Sequence, residues 1–287
     1  AILALVNPGD EVVIPAPYWV SYPQMVKLAG GTPVIVPAGI GQDFKITAAQ
    51  LEAAVTPKTK LVILCSPSNP TGSVYSEEEL GELAKVVLAH DDLFVLSDEI
   101  YEHINYIGGH SSIAACPGMR ERTVVCNGVS KAYAMTGWRL GWVAAPEWIV
   151  KGLGKLQGQY TSGTSSVSQM AAVAAYEGDQ SCVEAFRETF RRRRDLIVSL
   201  AKDIPGLEVN VPQGAFYLFP DCSAFFGKTD GRRTIGSSTD LALYLLEEGQ
   251  VATVGGDAFG APRCFRMSYA TSDDNIREAL RRIRHVL

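Results

Sequence analysis

Lys131 sits in the run Asn127-Gly-Val-Ser-Lys-Ala-Tyr-Ala-Met-Thr-Gly-Trp-Arg-Leu-Gly-Trp142, just after a short apolar segment, with Arg139 eight residues beyond it. A lysine reacts with a carbonyl carbon, or takes and returns a proton, only where a constrained and partly desolvated site keeps its amine reactive. A guanidinium nearby can grip a phosphate through two parallel hydrogen bonds. A lysine in a turn is ordinarily a surface lysine; Ser130, Gly137, Trp138 and Arg139 around it are what point to a Schiff-base site.

Four further blocks supply groups that such a lysine would need. Leu96-Ser-Asp-Glu-Ile-Tyr101 ends an apolar segment, and strand ends are where open α/β sheets bind ligands. Asp98 can hold a proton on a pyridine-type nitrogen and keep the ring an electron sink, and Tyr101 can donate to a phenolic oxygen. An aspartate capping a strand–helix turn is the plainer alternative. In Ser66-Pro-Ser-Asn-Pro-Thr-Gly72 two prolines and a glycine stiffen a loop that presents the Asn69 amide, with Asn69–Pro70 a candidate cis bond. A tight surface turn has the same composition. In Pro15-Ala-Pro-Tyr-Trp-Val-Ser-Tyr22, Trp19 or Tyr18 can stack on an aromatic ring or simply pack in a turn. Cys264-Phe-Arg-Met-Ser-Tyr269 puts Arg266 inside an apolar strand, which is costly unless the guanidinium meets an anion, either a substrate carboxylate or an acidic side chain of the chain itself.

The elements that must hold these blocks are legible as periodicity. Short apolar runs at Glu11–Ile14, Thr32–Val36, Leu61–Cys65, Leu93–Ser97, Thr123–Cys126 and Leu140–Ala144 alternate with amphipathic stretches at Tyr22–Ala29, Ala48–Ala54 and Ser76–Ala89. Ser76 can cap the last of these, with Glu77, Glu78 and Glu79 in its first turn. The alternation predicts an α/β fold with a mainly parallel sheet covered on both faces. Beyond about residue 180 the pattern changes. A charged amphipathic helix (Val183–Lys202) leads to strands at Leu207–Val211 and Ala215–Phe219, a polar loop (Gly227–Ser238), a helix (Thr239–Glu248), a strand near Cys264–Tyr269 and a final helix (Asp273–His285). This reads as α+β, so a large domain over 1–185 and a smaller C-terminal domain over 186–287 are expected, closely packed because no flexible linker joins them.

Composition narrows the class of protein. A chain of 287 residues with 47% apolar and 20% charged residues is ordinary for a globular enzyme, and a net charge of −5 argues against nucleic acid or an anionic membrane as partner. The run Arg191–Arg194, among Phe186, Phe190, Leu196 and Ile197, reads as a solvated helix face. Six scattered cysteines, with no Cys-x-x-Cys pair and no histidine cluster nearby, suit reduced thiols in an intracellular compartment better than a disulfide framework or a zinc site. No apolar run is long enough to span a bilayer.

In this order, the five blocks resemble the class I aminotransferases of fold type I, the aspartate aminotransferase family. Within it they are most similar to the bacterial-type branch that includes plant and algal plastid aspartate/prephenate aminotransferases. PAPYWVSYP, SPSNPTGSVY, LSDEIYEHI, KAYAMTGWRLG and PQGAFYLF carry the resemblance, which covers essentially the whole chain. It implies pyridoxal 5′-phosphate as cofactor. Lys131 then matches the Schiff-base lysine and general base, Asp98 the partner of the pyridine nitrogen, and Tyr101 the donor to the phenolic oxygen. Arg139 matches the phosphate-binding arginine, with Ser130 beside it. Trp19 corresponds to the aromatic over the ring, Asn69 to the amide touching cofactor and substrate, and Arg266 to the clamp on the α-carboxylate. Cis bonds are expected before Pro17 and Pro70.

The implied reaction is transamination between an amino acid, aspartate or glutamate favoured, and a 2-oxo acid such as 2-oxoglutarate, oxaloacetate or prephenate. A homodimer is implied, without metal, nucleic acid or membrane, in the cytoplasm or in a plastid stroma. Other aminotransferases, lyases of the same fold and a ligand-sensing regulatory domain are the rival readings. The departures from the family pattern are specific. Gly128 stands where many relatives have a phosphate-contacting serine, so that contact is expected to be lost. Gly255 replaces a frequent proline and is expected to loosen the loop Val254–Gly260. No downstream residue clearly supplies a second cation for a distal carboxylate. Tyr160–Ser166 is expected nearest the partner's site, or is simply a polar loop. The opening Ala1-Ile-Leu-Ala-Leu-Val reads as helix interior, so an upstream segment with the family's glycine-rich phosphate loop is expected, and with it weak cofactor binding by these 287 residues alone.

Overall fold

The computed structural model describes residues 1–231 and 233–287. The apolar runs become strands β1 (Glu11–Ala16), β2 (Thr32–Pro37), β3 (Thr59–Cys65), β4 (Phe94–Asp98), β5 (Thr123–Gly128) and β6 (Gly141–Ala144). They form one sheet in the order β2-β1-β3-β4-β5-β6, parallel except for β6, which runs antiparallel beside β5. Side chains of a strand alternate between faces, and a sheet buried on both sides therefore needs continuous apolar runs. Val12, Ile14, Leu61 and Ile63 accordingly pack under α1 (Ile2–Leu5) and α2 (Ser21–Leu28). Val13, Val62, Leu64 and Val95 pack under α3 (Ala48–Ala54) and α4 (Glu77–Leu88). Thr47 and Ser76 close capping boxes with Gln50 and Glu79, which sets where α3 and α4 begin.

The edge of this sheet is different. All four residues of β6 are exposed, and α5 (Glu147–Tyr160), which sequence pattern did not anticipate, buries only Ile149. Gly152, Gly154 and Gly158 lower its helix propensity and hide it. After α6 (Ser166–Glu177) the long α7 (Ser181–Lys202) begins before the expected boundary at 185/186 and runs through it into a second core. That core joins Ile197, Leu218, Leu241, Leu245, Phe265 and Ile283. It is built from β7 (Tyr217–Leu218), α8 (Ser238–Glu247), β8 (Val254–Gly255), β9 (Phe265–Ser268) and α9 (Asp273–Val286), with an antiparallel sheet ordered β7-β9-β8. The basic run of α7 is largely neutralised locally: Arg192 and Arg193 reach Asp273 at 3.4 and 3.2 Å, and Arg191 pairs with Glu188.

Three expectations are corrected. The run Leu207–Val211 forms no strand, only a bridge from Glu208 to Asp221. The strand expected over Ala215–Phe219 shrinks to Tyr217–Leu218, because Ala215 adopts a left-handed φ of 54° that no strand accommodates. The loop around Gly255 is tied down, not loosened. A Cβ on Gly255 would come within 2.9 Å of Thr239 Cα, Gly256 N–H donates to Ser238 Oγ at 3.0 Å, and Thr239 Oγ1 donates to Asp257 at 2.6 Å. The polar loop expected at Gly227–Ser238 includes Arg232, which lies outside the described residues.

The two cores are stitched together next to the sheet's C-terminal edge. Gln213 and Gly214 N–H both donate to Gly72 O at 2.8 Å, and Ala215 N–H donates to Ile104 O at 2.8 Å. This strap delivers β7 and β9 over the ends of β3, β4 and β5.

Candidate active site

Parallel neighbours β3, β4 and β5 end side by side, and the register aligns Cys65, Asp98 and Cys126 in one row across them. The chain beyond each strand end contributes one part of a cavity of about 470 Å³. Trp19, Asn69, Asp98, Tyr101, Ser130, Lys131, Arg139 and Arg266 all line it. Residues singled out from five separate stretches of sequence thus meet in one place. The bonds before Pro17 and Pro70 are cis, as is Ser66–Pro67, which was not anticipated.

Asp98 is nearly enclosed. Tyr22 OH donates to its Oδ2 at 2.6 Å and Ile100 N–H to its Oδ1 at 3.3 Å. Burial pushes the carboxyl pKa up, while the Tyr22 and Ile100 bonds and the charge of Lys131 pull it back. Tyr22 was not foreseen as a site residue. It stands in the first turn of α2, three residues after Trp19, and its position in the same aromatic block was the available signal. The two rings meet edge to face at 5.4 Å.

Lys131 follows β5, with Nζ 5.7 Å from the Tyr101 ring and 6.0 Å from that of Phe216. Burial lowers its pKa, Asp98 opposes this, and Arg266 and Arg139 lower it further. Among the described residues no carboxylate lies within ion-pair distance of it. Tyr101 shares a 2.9 Å hydrogen bond with the hydroxyl of Tyr217, and burial raises its pKa strongly. Arg139 is exposed, in a left-handed conformation (φ 54°), and donates to Thr136 O at 2.9 Å.

Arg266 enters from β9. One guanidinium nitrogen donates to Asn69 Oδ1 at 2.8 Å, and the group lies 4.6 and 4.9 Å from the ring centres of Tyr217 and Phe259. The acid that would make it a structural ion pair is absent among the described residues. Aromatic faces and one amide hold the charge and leave it able to take an anion.

The geometry also explains the glycine at 128. Gly128 faces Gly141 across β5 and β6, and a Cβ would lie 2.8 Å from both Gly141 Cα and Leu140 O. A side chain there requires the paired backbones of β5 and β6 to shift, so a serine is strained at this position.

A larger and mostly apolar hollow of about 710 Å³ adjoins the cavity and shares Trp19, Tyr22, Asp98 and Cys126 with it. Among the described residues no lysine or arginine lines it, whereas Lys131, Arg139 and Arg266 line the smaller one, which is therefore where an anionic ligand would bind. Tyr160 lies at the rim of the hollow, 72% exposed at the end of α5.

The fold is that of the aminotransferases. The profile of the family described as Aminotransferase class I and II matches residues 1–283, and the chain belongs to that family. It is 50% identical to the bifunctional aspartate aminotransferase and glutamate/aspartate-prephenate aminotransferase of Petunia hybrida, over 100% of this chain and 61% of that protein. It is likewise 50% identical to the aspartate/prephenate aminotransferase of Cereibacter sphaeroides, over 99% of this chain and 72% of that one. The crystal structure of the aspartate aminotransferase from Rhizobium meliloti superposes with a TM-score of 0.96 at 45% identity, covering 99% of this chain and 72% of that one. An aromatic aminotransferase from Pyrococcus horikoshii gives 0.93 at 40% identity, covering 100% and 75%. The chain therefore spans between about three fifths and three quarters of these relatives' lengths.

Proposed function

We propose that the chain is the greater part of a pyridoxal 5′-phosphate-dependent aminotransferase that passes an amino group from aspartate or glutamate to a 2-oxo acid: 2-oxoglutarate, oxaloacetate or prephenate. The observation that carries this reading is the convergence on one cavity of a nearly enclosed aspartate with a lysine and an arginine that have no carboxylate partner among the described residues, in a space whose size suits a phosphorylated ring. The donor set fits the cofactor: Asp98 has no cationic ion-pair partner among the described residues, so a protonated ring nitrogen would complete it. Bound there, the cofactor supplies an aldehyde that takes up the amino group and a ring that withdraws electrons.

The chain's own residues do the rest. Arg266, with Asn69, holds the α-carboxylate and so orients the Cα–H bond. Lys131, its pKa lowered by burial, has a larger neutral fraction near pH 7 than an exposed lysine, and moves the proton at Cα. Asp98 keeps the ring nitrogen protonated, Tyr101 donates to the phenolic oxygen, Trp19 covers the ring, and Arg139 with Ser130 grips the phosphate. The reading keeps two domains, 1–185 and 186–287, and an intracellular compartment, cytoplasm or plastid stroma. Among the described residues no helix is long and apolar enough to cross a membrane.

A homodimer belongs to the same proposal. Trp148, Tyr160, Val167 and Met170 on α5 and α6 are 56, 72, 68 and 67% exposed, apolar side chains that a second copy would cover. Sedimentation at a dimer's mass supports it; a monomer at micromolar concentration rejects it.

A second reading has its own support. Among the described residues Lys131, Arg139 and Arg266 are the lysine and arginine side chains of the cavity, so a distal carboxylate finds no fourth cation there. That favours an aromatic or other uncharged donor. The deciding experiment adds pyridoxal phosphate to the full chain and then aspartate, glutamate or phenylalanine. Loss of the cofactor's absorbance with aspartate and appearance of oxaloacetate support the first reading. A response to phenylalanine alone supports the second, and no response to any amino acid rejects both.

A further inference from the structure

We propose that Tyr217 is a positioning residue that ties the carboxylate end of the cavity to its lysine end, holding Arg266 with its ring and Tyr101 with its hydroxyl. The inference rests on the aminotransferase reading above. Tyr217 opens β7, is buried, and lines the cavity. Its ring lies 4.6 Å from the Arg266 guanidinium, and its hydroxyl is 2.9 Å from that of Tyr101, whose own ring is 5.7 Å from Lys131 Nζ. The path from Arg266 to Lys131 thus runs through two tyrosines in edge-to-face contact at 5.9 Å.

The direction of the hydroxyl bond matters. A phenol has one proton to donate and lone pairs to accept with. If Tyr101 donated to Tyr217 its proton would be consumed, and none would remain for a ligand oxygen. If Tyr217 donates, Tyr101 accepts and its proton is free to point into the cavity. The Arg266 guanidinium lies against the Tyr217 ring, and a cation there favours Tyr217 as the donor. The ring and the hydroxyl of one residue therefore serve two different partners, and they can be removed separately.

The test uses Tyr217→Phe and Tyr217→Leu in the full chain, with pyridoxal phosphate as the probe and steady-state kinetics on the amino acid that the unmutated chain turns over. Tyr217→Phe keeps the platform under Arg266 and loses only the hydroxyl. It should lower kcat by about 3- to 10-fold, the usual range for one hydrogen bond, leave KM within about twofold, and shift the pH midpoint of the bound cofactor's absorbance. Tyr217→Leu should lose as much kcat and also raise KM by about 5- to 30-fold, as expected when a desolvated cation loses its aromatic face. In a Tyr101→Phe background, Tyr217→Phe should cost nothing further, because the hydroxyl acts through Tyr101. A packing role alone would move neither the absorbance midpoint nor the split between kcat and KM. Wild-type kcat and midpoint in Tyr217→Phe would overturn the inference while leaving the aminotransferase reading intact. An unmutated chain that shows no absorbance change with pyridoxal phosphate and no turnover would remove both.

Discussion

Lys131 and Arg266 reach the same cavity from the two cores of the molecule, and their surroundings treat positive charge in opposite ways. Around Lys131 burial, Arg266 and Arg139 disfavour the cation, against Asp98 and the more distant rings of Tyr101 and Phe216. Around Arg266 one amide oxygen and two aromatic faces stabilise a charge that no carboxylate neutralises among the described residues. The lesson is a division of labour. The large sheet supplies a base whose proton is loosely held, and the small sheet supplies a permanent cation waiting for an anion. A guanidinium suits the second task because it stays charged at every relevant pH, and an amine suits the first because burial tunes it.

This contrast can be broken most severely at its reactive end. Lys131→Ala should lower transamination by at least about 10³-fold, with a thermal midpoint close to that of the unmutated chain because the side chain is only half-buried. Near-normal turnover would show that the proton is moved by another group. At the other end, Arg266→Met should raise KM for the amino acid by roughly 10- to 100-fold, the usual worth of a charge-assisted pair, while the cofactor's absorbance in the absence of amino acid stays close to normal. A change in kcat alone would place Arg266 elsewhere in the cycle.

Arg139→Gln joins the two ends and has a signed consequence. Arg139 lowers the Lys131 pKa, so its loss raises that pKa, and the acid limb of cofactor capture moves to higher pH. Absorbance titration against pH measures this, and a limb that stays put or moves down contradicts the electrostatic account. Cofactor affinity should fall by about 10-fold or more. The smallest effect tests the scaffold. Gly128→Ser should destabilise the fold by about 1–3 kcal/mol through overpacking at the β5–β6 crossing, read as a lowered denaturation midpoint with no gain in cofactor affinity. A tighter-binding, equally stable variant would mean that the strands part easily enough to admit the hydroxyl.

Much of this site was legible before any fold was known, and the reason is local. Lys131, Asp98, Asn69 and Arg266 stand in short blocks whose odd features are visible in one dimension: a lysine among glycines, an aspartate at the end of an apolar run, an asparagine between prolines, an arginine inside a strand. Tyr22 closes one such block and Tyr217 stands in the run Ala215–Phe219, and neither drew a role. A tyrosine near apolar residues looks like core, and its hydroxyl partner, Asp98 or Tyr101, is 76 or 116 residues away. α5 was missed because its three glycines mask its pattern, and Ala215 delays the start of β7 through a backbone conformation that residue type does not reveal.

What the sequence determined by itself is the alternation of strand and helix, the covering of the main sheet on both faces, and the chemical identity of the groups in the cavity. Those follow from periodicity and from side-chain chemistry, which are properties of neighbouring residues. Only the tertiary structure decided which charges act on each other, that the charges of Arg266 and Arg139 weigh against a cation at Lys131 while Arg266 rests on aromatic rings, and that Gly128 and Gly255 are closed positions. Pairing, burial and close approach depend on residues distant in the chain, and they exist only once the strap at 213–215 has brought the two sheets together.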